Sequence, residues 1–130
     1  MTNGISREDL AELLAKAEQK LASARHSLAG GFYDDAASRA YYAAFHAVSA
    51  VLASKGKVFS SHKQTLSAFN KEFIAAGKTD RFRFKDIQRL FNDRQNGDYD
   101  TVIGVDRETA EGDVRIASNI VAVCKEYLKE

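Results

Sequence analysis

Apolar residues recur at steps of three and four along almost the whole chain, and none of its 130 residues is proline. This spacing lines up apolar side chains on one face of a helix, whereas a half-buried strand alternates apolar and polar residues. The sequence therefore predicts an all-α protein, an antiparallel bundle of four to five helices with short connections. Its length and its hydrophobic content of 45% suit one core, so we predict a single domain spanning residues 1–130.

Capping residues and glycines mark where the predicted helices begin and end. Ser and Asp side chains bond to the free amides of a first helical turn, and glycine readily adopts the backbone conformation that ends many helices. The predicted starts are Ser6, Asp34 or Asp35, Ser61 and Asp106, and the predicted ends are Gly30, Gly56, Gly77 and Gly97. A loop at residues 98–105 would then connect the fourth helix to the last.

Charge and composition restrict the classes of function. Nineteen basic and 18 acidic residues give a formal net charge of +1, so any recognition of nucleic acid must be local. Cys124 is the only cysteine, and its apolar register predicts a buried structural thiol. The three histidines, His26, His46 and His62, lie on separate segments without metal-ligand spacing. We expect no metal site and no cofactor.

No stretch approaches the ~18 consecutive apolar residues of a membrane span. The first residues, MTNGISREDL, also lack the apolar segment of a secretory signal. We therefore expect a soluble, cytoplasmic protein with no membrane partner.

A polar stripe runs along the second predicted helix. Its members follow one another at steps of four, three, four and three, and they are Asp35, Arg39, Tyr42, His46 and Ser49. Such steps place them on one helix face beside the apolar one. Their side chains are of the kind that hydrogen-bond in half-buried places, which fits a polar seam in the bundle or at a dimer contact. The alternative is one wall of a binding cleft, with Arg39, Tyr42 and His46 as its candidate binding residues.

The segment NDRQNGDYD, residues 92–100, brings Arg94, Asp98 and Tyr99 together at the predicted end of the fourth helix. Arg94 falls on the packing face of that helix, so its guanidinium needs an anionic partner there. Asp98 or Asp93 could provide it in a structural ion pair, and a bound phosphate would serve equally well. His62, just after the Ser61 cap, is either a surface residue or a second group that reaches a phosphate.

The segment KTDRFRFKDIQRLFNDR, residues 78–94, has six basic and three acidic residues. Arg81, Lys85 and Arg89 recur at steps of four, which predicts a basic row on one solvated helix face. Aromatic residues are interleaved with them, and Phe82 is the one that the apolar pattern leaves free to stack on a base. Single-stranded RNA is held by such combinations of charge and stacking.

Three segments in this order resemble the HEPN superfamily of helical-bundle proteins: ASRAYYAAFHAV, SSHKQTLSAF and RLFNDRQNGDYD. The resemblance implies a homodimer paired with a small nucleotidyltransferase, which acts as the antitoxin in many such systems. Active members are similar to metal-independent ribonucleases in which an arginine is followed, after four to six residues, by a histidine. Arg94 matches the arginine, but Tyr99 and the preceding Asp98 stand where the histidine would be.

This departure leaves three functions open. Cleavage of RNA through its 2′-hydroxyl requires a base, an acid and a cation, and we take Arg94, Asp98 and Tyr99 as the candidate catalytic residues. A non-catalytic module that binds RNA or nucleotide is the second function, and a purely structural dimerisation domain is the third. The resemblance also implies that Tyr99 is a candidate for modification with AMP by the partner. Arg39 and His46 are spaced like the family motif as well, but they lie on the wrong helix for it.

Overall fold

The computed structural model describes residues 5–99 and 104–129, so the middle of the predicted 98–105 loop lies outside the described part. Five α-helices and no strand are found in those two ranges. The helices are α1 (Arg7–Ala29), α2 (Tyr33–Ala53), α3 (His62–Phe69), α4 (Phe84–Tyr99) and α5 (Arg107–Lys129). A π-helical turn, Asn70–Ile74, continues α3. The predicted all-α bundle is confirmed, although the sequence pattern did not predict the π-helical turn.

Three predicted helix starts are confirmed by the hydrogen bonds of their caps. The bonds run from a backbone amide three residues into each helix to the capping oxygen: Asp9 N to Ser6 Oγ at 3.1 Å, Gln64 N to Ser61 Oγ at 3.0 Å, and Thr109 N to Asp106 Oδ1 at 2.8 Å. Each cap satisfies an amide that has no partner within its own helix.

The start of α2 differs from the prediction. The helix begins at Tyr33 and has no side-chain cap. Asp34 instead turns toward the segment that precedes α5, where its Oδ1 accepts a hydrogen bond from Val105 N at 2.8 Å. The carboxylate that resembled a cap therefore joins two distant parts of the chain.

The centre of the bundle is α2, which packs against α1, α4 and α5. Twelve of its 21 residues are buried, and eight of those twelve are alanine. Small side chains let neighbouring helices approach closely, and the larger Tyr41, Val48 and Leu52 fill the remaining core. Any polar residue at the edge of this packed face is therefore held in a fixed position.

Gly97 does not end the fourth helix as predicted, because α4 continues through it to Tyr99. A Cβ atom at Gly97 would come within 3.3 Å of the Cα and the carbonyl oxygen of Asp34. The glycine therefore permits a close approach of α4 to the start of α2. This contact brings the C-terminal turns of α4 against α2, where Arg94 lies.

The predicted basic row with a free aromatic ring is wrong in two respects. Phe82 is only 4% exposed and stacks on Phe69 in the core, with the ring centroids 6.2 Å apart. Arg81 precedes the first residue of α4, so it does not share a helix face with Lys85 and Arg89, and it pairs instead with Glu126 at 2.9 Å. Both errors have the same physical reason. The residues before α4 form a packed loop, which the helical spacing of apolar residues does not reveal.

A buried carboxyl group joins α4 to α5. Asp113 is fully buried, and its Oδ1 accepts a hydrogen bond from Arg89 Nε at 3.1 Å. Burial and the neighbouring Asp93 carboxylate raise the pKa of Asp113 to about 8. Asp113 Oδ2 has no donor among the described residues, which fits a carboxyl group that carries a proton and bonds to Asp93. Arg89 also donates to the Thr109 carbonyl at 3.2 Å, so α4 is anchored at two points.

The described residues include neither a membrane-spanning helix nor a cluster of metal ligands. In the ranges 5–99 and 104–129, no helix is both long enough and apolar enough to cross a membrane. Within the same ranges, no three His, Cys, Asp or Glu side chains gather as metal ligands would. Cys124 is buried as predicted, and burial raises the pKa of its thiol to about 12.

Candidate functional site

Arg94 lies at the contact between α4 and α2, and its side chain is mostly buried. Its Nη2 donates a hydrogen bond to Tyr42 Oη at 2.8 Å. Its Nε is 3.0 Å from Asp98 Oδ2, one turn further along α4. Although this is an ion-pair distance, the Nε–H does not form a hydrogen bond with any described residue. Arg94 is therefore held in place while one of its donors remains unsatisfied.

Two tyrosine rings flank the guanidinium. The central carbon of the Arg94 guanidinium lies 5.6 Å from the ring centroid of Tyr41 and 5.3 Å from that of Tyr42. At such distances a cation is attracted to the face of an aromatic ring, and the flat guanidinium suits this contact better than an ammonium. The two rings meet edge to face at 5.1 Å, so they define the position of the cation from two sides.

His62 belongs to the same cluster, although it lies 32 residues before Arg94 in the chain. Its Nδ1 and Tyr41 Oη are hydrogen-bonded at 2.9 Å, and its ring stacks on Phe45 with a centroid separation of 4.1 Å. Burial and the positive charge of Arg94 lower the pKa of His62, so its imidazole is neutral near pH 7. Burial raises the pKa of Tyr41 to about 12, so the phenol stays protonated.

His46 lies next to this cluster on the exposed side of α2. Its ring centroid is 6.4 Å from that of Tyr42 and 6.2 Å from that of Phe45. Burial lowers the pKa of His46, and the nearby cations Lys16 and Lys20 of α1 lower it further. The neutral imidazole thus adjoins a positively charged part of α1.

The candidate residues from the sequence fall into two groups. Arg94, Asp98 and Tyr42 are in direct contact, and His62 and His46 surround them. Tyr99 is 72% exposed at the last residue of α4, and Arg39 is half-buried on α2. Neither Tyr99 nor Arg39 forms a hydrogen bond or ion pair with the first group among the described residues.

Two polar groups were missed by the sequence reasoning. Helical spacing places Tyr41 with Ala37 and Ala44 on the apolar face of α2, yet its hydroxyl links His62 to the Arg94 cluster. The sequence signal for this role was the pair of consecutive tyrosines. Neighbouring residues of a helix point in different directions, so one of the two hydroxyls had to lie toward the core. Asp113 was overlooked although it falls in the register of Ala110 and Ala117, where a buried carboxyl group was readable from the spacing.

Comparison with known proteins identifies the class. The family model for the HEPN domain matches residues 10–127, so the chain belongs to the HEPN family. A protein named "Putative toxin MJ0142" from Methanocaldococcus jannaschii is 37% identical over 105 residues, which cover 81% of this chain and 71% of that protein. A "UPF0332 protein" from Thermotoga maritima is 35% identical over 95 residues, which cover 73% of this chain and 72% of that one.

A solved structure supports the fold independently. The crystal structure of TT1696 from Thermus thermophilus superposes with a TM-score of 0.69, covering 90% of this chain and 96% of that chain. The two sequences are 22% identical in this comparison, so the similarity concerns the fold alone.

Proposed function

We propose that this HEPN protein is a toxin-related protein that binds the phosphate backbone of RNA at Arg94 and cleaves it without a metal ion. The observation that carries the proposal is the set of contacts around Arg94: a mostly buried guanidinium, held by Tyr42 and paired with Asp98, next to a neutral imidazole in the same cluster. A permanently charged arginine in a half-buried position favours an anion such as a phosphodiester. The name of one relative, "Putative toxin MJ0142", supports the same direction.

In the proposed reaction the 2′-oxygen attacks the adjacent phosphorus, and the bond from phosphorus to the 5′-oxygen breaks. His62 takes the proton of the 2′-hydroxyl on Nε2, in the tautomer whose Nδ1–H donates to Tyr41 Oη, and its lowered pKa leaves the imidazole neutral for this step. Arg94 stabilises the negative charge that grows on the phosphoryl oxygens. The Tyr42 hydroxyl accepts a hydrogen bond from Arg94, so its own proton is available to the leaving 5′-oxygen.

The remaining candidates act around this centre. Asp98 orients Arg94 and is displaced in part when phosphate enters, since the two side chains are close but not hydrogen-bonded. His46 and Arg39 bind neighbouring phosphates along the half-buried face of α2. In this proposal Asp98 and Tyr99 lose the direct catalytic role that the sequence suggested, because His62 supplies the imidazole from another helix.

Assembly and control form the second part of the proposal. The protein acts as a homodimer, and a nucleotidyltransferase antitoxin restrains it. Tyr99 is the site of modification, since its side chain is 72% exposed and lies five residues after Arg94. An attached AMP group would add negative charge near Arg94 and compete with RNA for it. Mass spectrometry of the protein co-expressed with its partner tests this point, and an inhibited complex with unmodified Tyr99 would contradict it.

One observation favours a non-catalytic alternative. Asp98 and Tyr99 stand after Arg94 where active members have the motif histidine, as expected of a protein that binds RNA without cleaving it. In that case the protein is a module that binds RNA or nucleotide through the same residues. The purely structural alternative predicts that Arg94 matters only for folding or dimerisation.

A cleavage and binding assay with single-stranded RNA in the presence of EDTA separates these functions. We expect His62→Ala to lower the cleavage rate by about 100-fold or more while RNA binding is retained, and Arg94→Ala to lower both. Arg25→Ala is the matched control, because Arg25 is an exposed arginine that bonds to Ser118 far from the site. Binding without cleavage in the wild type would select the non-catalytic module. A wild-type protein that neither binds nor cleaves RNA would contradict the proposal.

A further inference from the structure

A groove of about 540 Å³ lies between α3 and α4, beside the candidate site. Its floor consists of apolar side chains, chiefly Leu66, Ile87 and Phe91. Polar side chains, Lys63, Ser67, Gln88 and Asn92, surround the floor, and all four are exposed. An apolar depression with a few polar groups at its rim has the composition of small-molecule and cofactor sites.

One end of the groove adjoins the aromatic residues around Arg94. The Phe91 ring, which forms part of the floor, also meets the ring of Tyr41 edge to face, with the centroids 5.7 Å apart. Lys63 at the rim directly follows His62, which is hydrogen-bonded to the same tyrosine. A ligand held at Arg94 therefore has the groove as its immediate neighbour.

The chemistry of the lining selects among possible occupants. Lys63 is the one charged side chain among the described lining residues, so the groove favours a ligand attached to an anion. Gln88 and Asn92 lie four residues apart on α4, and each primary amide offers both donors and an acceptor. A nucleobase matches this set, because its flat face suits an aromatic and aliphatic floor while its edge carries donors and acceptors.

We propose that the groove between α3 and α4 binds one nucleobase of the RNA or nucleotide whose phosphate is held at Arg94. This inference rests on the proposed function, because the phosphate determines where the base enters. Phe91 provides the stacking surface, and it is held in position by Tyr41. Gln88 and Asn92 bond to the edge of the base, which makes the protein sensitive to the identity of one nucleotide.

The test compares ligands with and without a base. Adenosine and uridine 5′-monophosphates are titrated against ribose 5-phosphate, with binding followed by NMR of the full-length protein. Stacking of one base on an aromatic side chain is worth about a 10-fold gain in affinity or more. We expect the nucleotides to bind the wild type more tightly than ribose 5-phosphate by at least about this factor.

Ser67→Trp fills the groove from an exposed position of α3, and we expect it to abolish the advantage of the nucleotides while ribose 5-phosphate binds as before. Ala22→Trp, at an exposed position of α1, is the matched control and should keep the advantage. The double variant Gln88→Ala with Asn92→Ala introduces no large side chain. It should reduce the difference in affinity between the adenosine and uridine nucleotides.

The outcomes distinguish this inference from the function on which it rests. Equal affinity of the wild type for nucleotides and ribose 5-phosphate would contradict the base site but not the phosphate site. The groove would then be expected to bind a protein segment instead. An advantage that survives both the Ser67→Trp and the double substitution would also contradict it. If none of these ligands binds the wild type, the phosphate site and the base site are both wrong.

Discussion

Two arginines of α4, Arg89 and Arg94, each precede an aspartate by four residues, but the buried member of the cluster differs. Around Arg89 the arginine side chain is 43% exposed, and its partner Asp113 is 0% exposed. Around Arg94 the arginine is 17% exposed, and its partner Asp98 is 32% exposed. One cluster therefore buries the acid and the other buries the cation.

Burying a charge costs free energy, and the two buried groups reduce this cost in different ways. A carboxyl group can keep its proton, and the raised pKa of Asp113 indicates that it does so up to about pH 8. An arginine remains charged under all ordinary conditions and must find an anion instead. The Arg89 cluster anchors α4 through Asp113 and the Thr109 carbonyl. In the Arg94 cluster a permanent positive charge is paired with a partly exposed carboxylate, which an incoming phosphate would replace in the proposed function.

Replacing each arginine by lysine should give the largest contrast. In Arg94→Lys the positive charge is retained, but the flat group in contact with two tyrosine rings is lost, so we expect RNA cleavage to fall by about 100-fold. In Arg89→Lys cleavage should stay close to that of the wild type. Single-turnover cleavage rates check this, and equal losses in the two variants would remove the distinction between the clusters.

The free energy of unfolding should depend on Arg89, the arginine whose replacement is expected to leave cleavage unchanged. Arg89→Ala leaves the buried Asp113 Oδ1 and the Thr109 carbonyl without their donor, and we expect the free energy of unfolding to fall by about 1–3 kcal/mol. Arg25→Ala removes an exposed hydrogen bond to Ser118 and should change it by less than about 0.5 kcal/mol. Denaturant unfolding measures both. A change in Arg89→Ala no larger than that in Arg25→Ala would show that the anchor contributes nothing.

The pH dependence of stability should identify the buried acid. Because the pKa of Asp113 is raised in the folded state, folding retains a proton that the unfolded chain releases above about pH 4. The stabilisation is complete below that pH and is lost as pH rises toward 8, with a slope of about 1 kcal/mol per pH unit. Asp113→Asn keeps a donor toward Asp93 but does not titrate, so its stability should vary less over this range. Identical slopes in the two proteins would contradict the assignment.

The smallest expected effect on RNA affinity concerns the hydroxyl that holds Arg94. Tyr42→Phe keeps the ring beside the guanidinium and removes the 2.8 Å hydrogen bond, so RNA affinity should fall by only a few-fold, on the order of 1 kcal/mol. Cleavage should fall further, by about 100-fold, because the variant also lacks the proton donor for the 5′-oxygen. Tyr33→Phe at the start of α2 is the control and should bind as the wild type does. Tighter binding by Tyr42→Phe would mean that the hydroxyl competes with phosphate for Arg94.

The parts of the fold that depend on local chemistry were predictable from the sequence. Ser6, Ser61 and Asp106 cap their helices as expected, because a capping bond spans only three residues. Gly97 and Phe82 were misassigned, since their roles depend on a close approach to Asp34 and on stacking with Phe69. Neither contact can be recognised from the spacing of apolar residues along the chain.

The candidate site was predictable only in part. The family resemblance directed attention to Arg94, and helical spacing put Tyr42 and His46 on one face of α2. That Arg94 bonds to Tyr42, 52 residues away, required the structure. The connection from Tyr41 to His62 was likewise invisible, because it depends on how the start of α3 packs against α2.

Nitrogen-15 NMR of the arginine side chains provides the most direct test of the central claim, that the guanidinium of Arg94 binds RNA phosphate. The Nε–H signal of Arg94, assigned by its disappearance in Arg94→Lys, is followed while a short single-stranded RNA is added. We predict that this signal shifts, and that the Arg89 signal does not. RNA binding that leaves the Arg94 signal unchanged, or no binding at all, would contradict the claim.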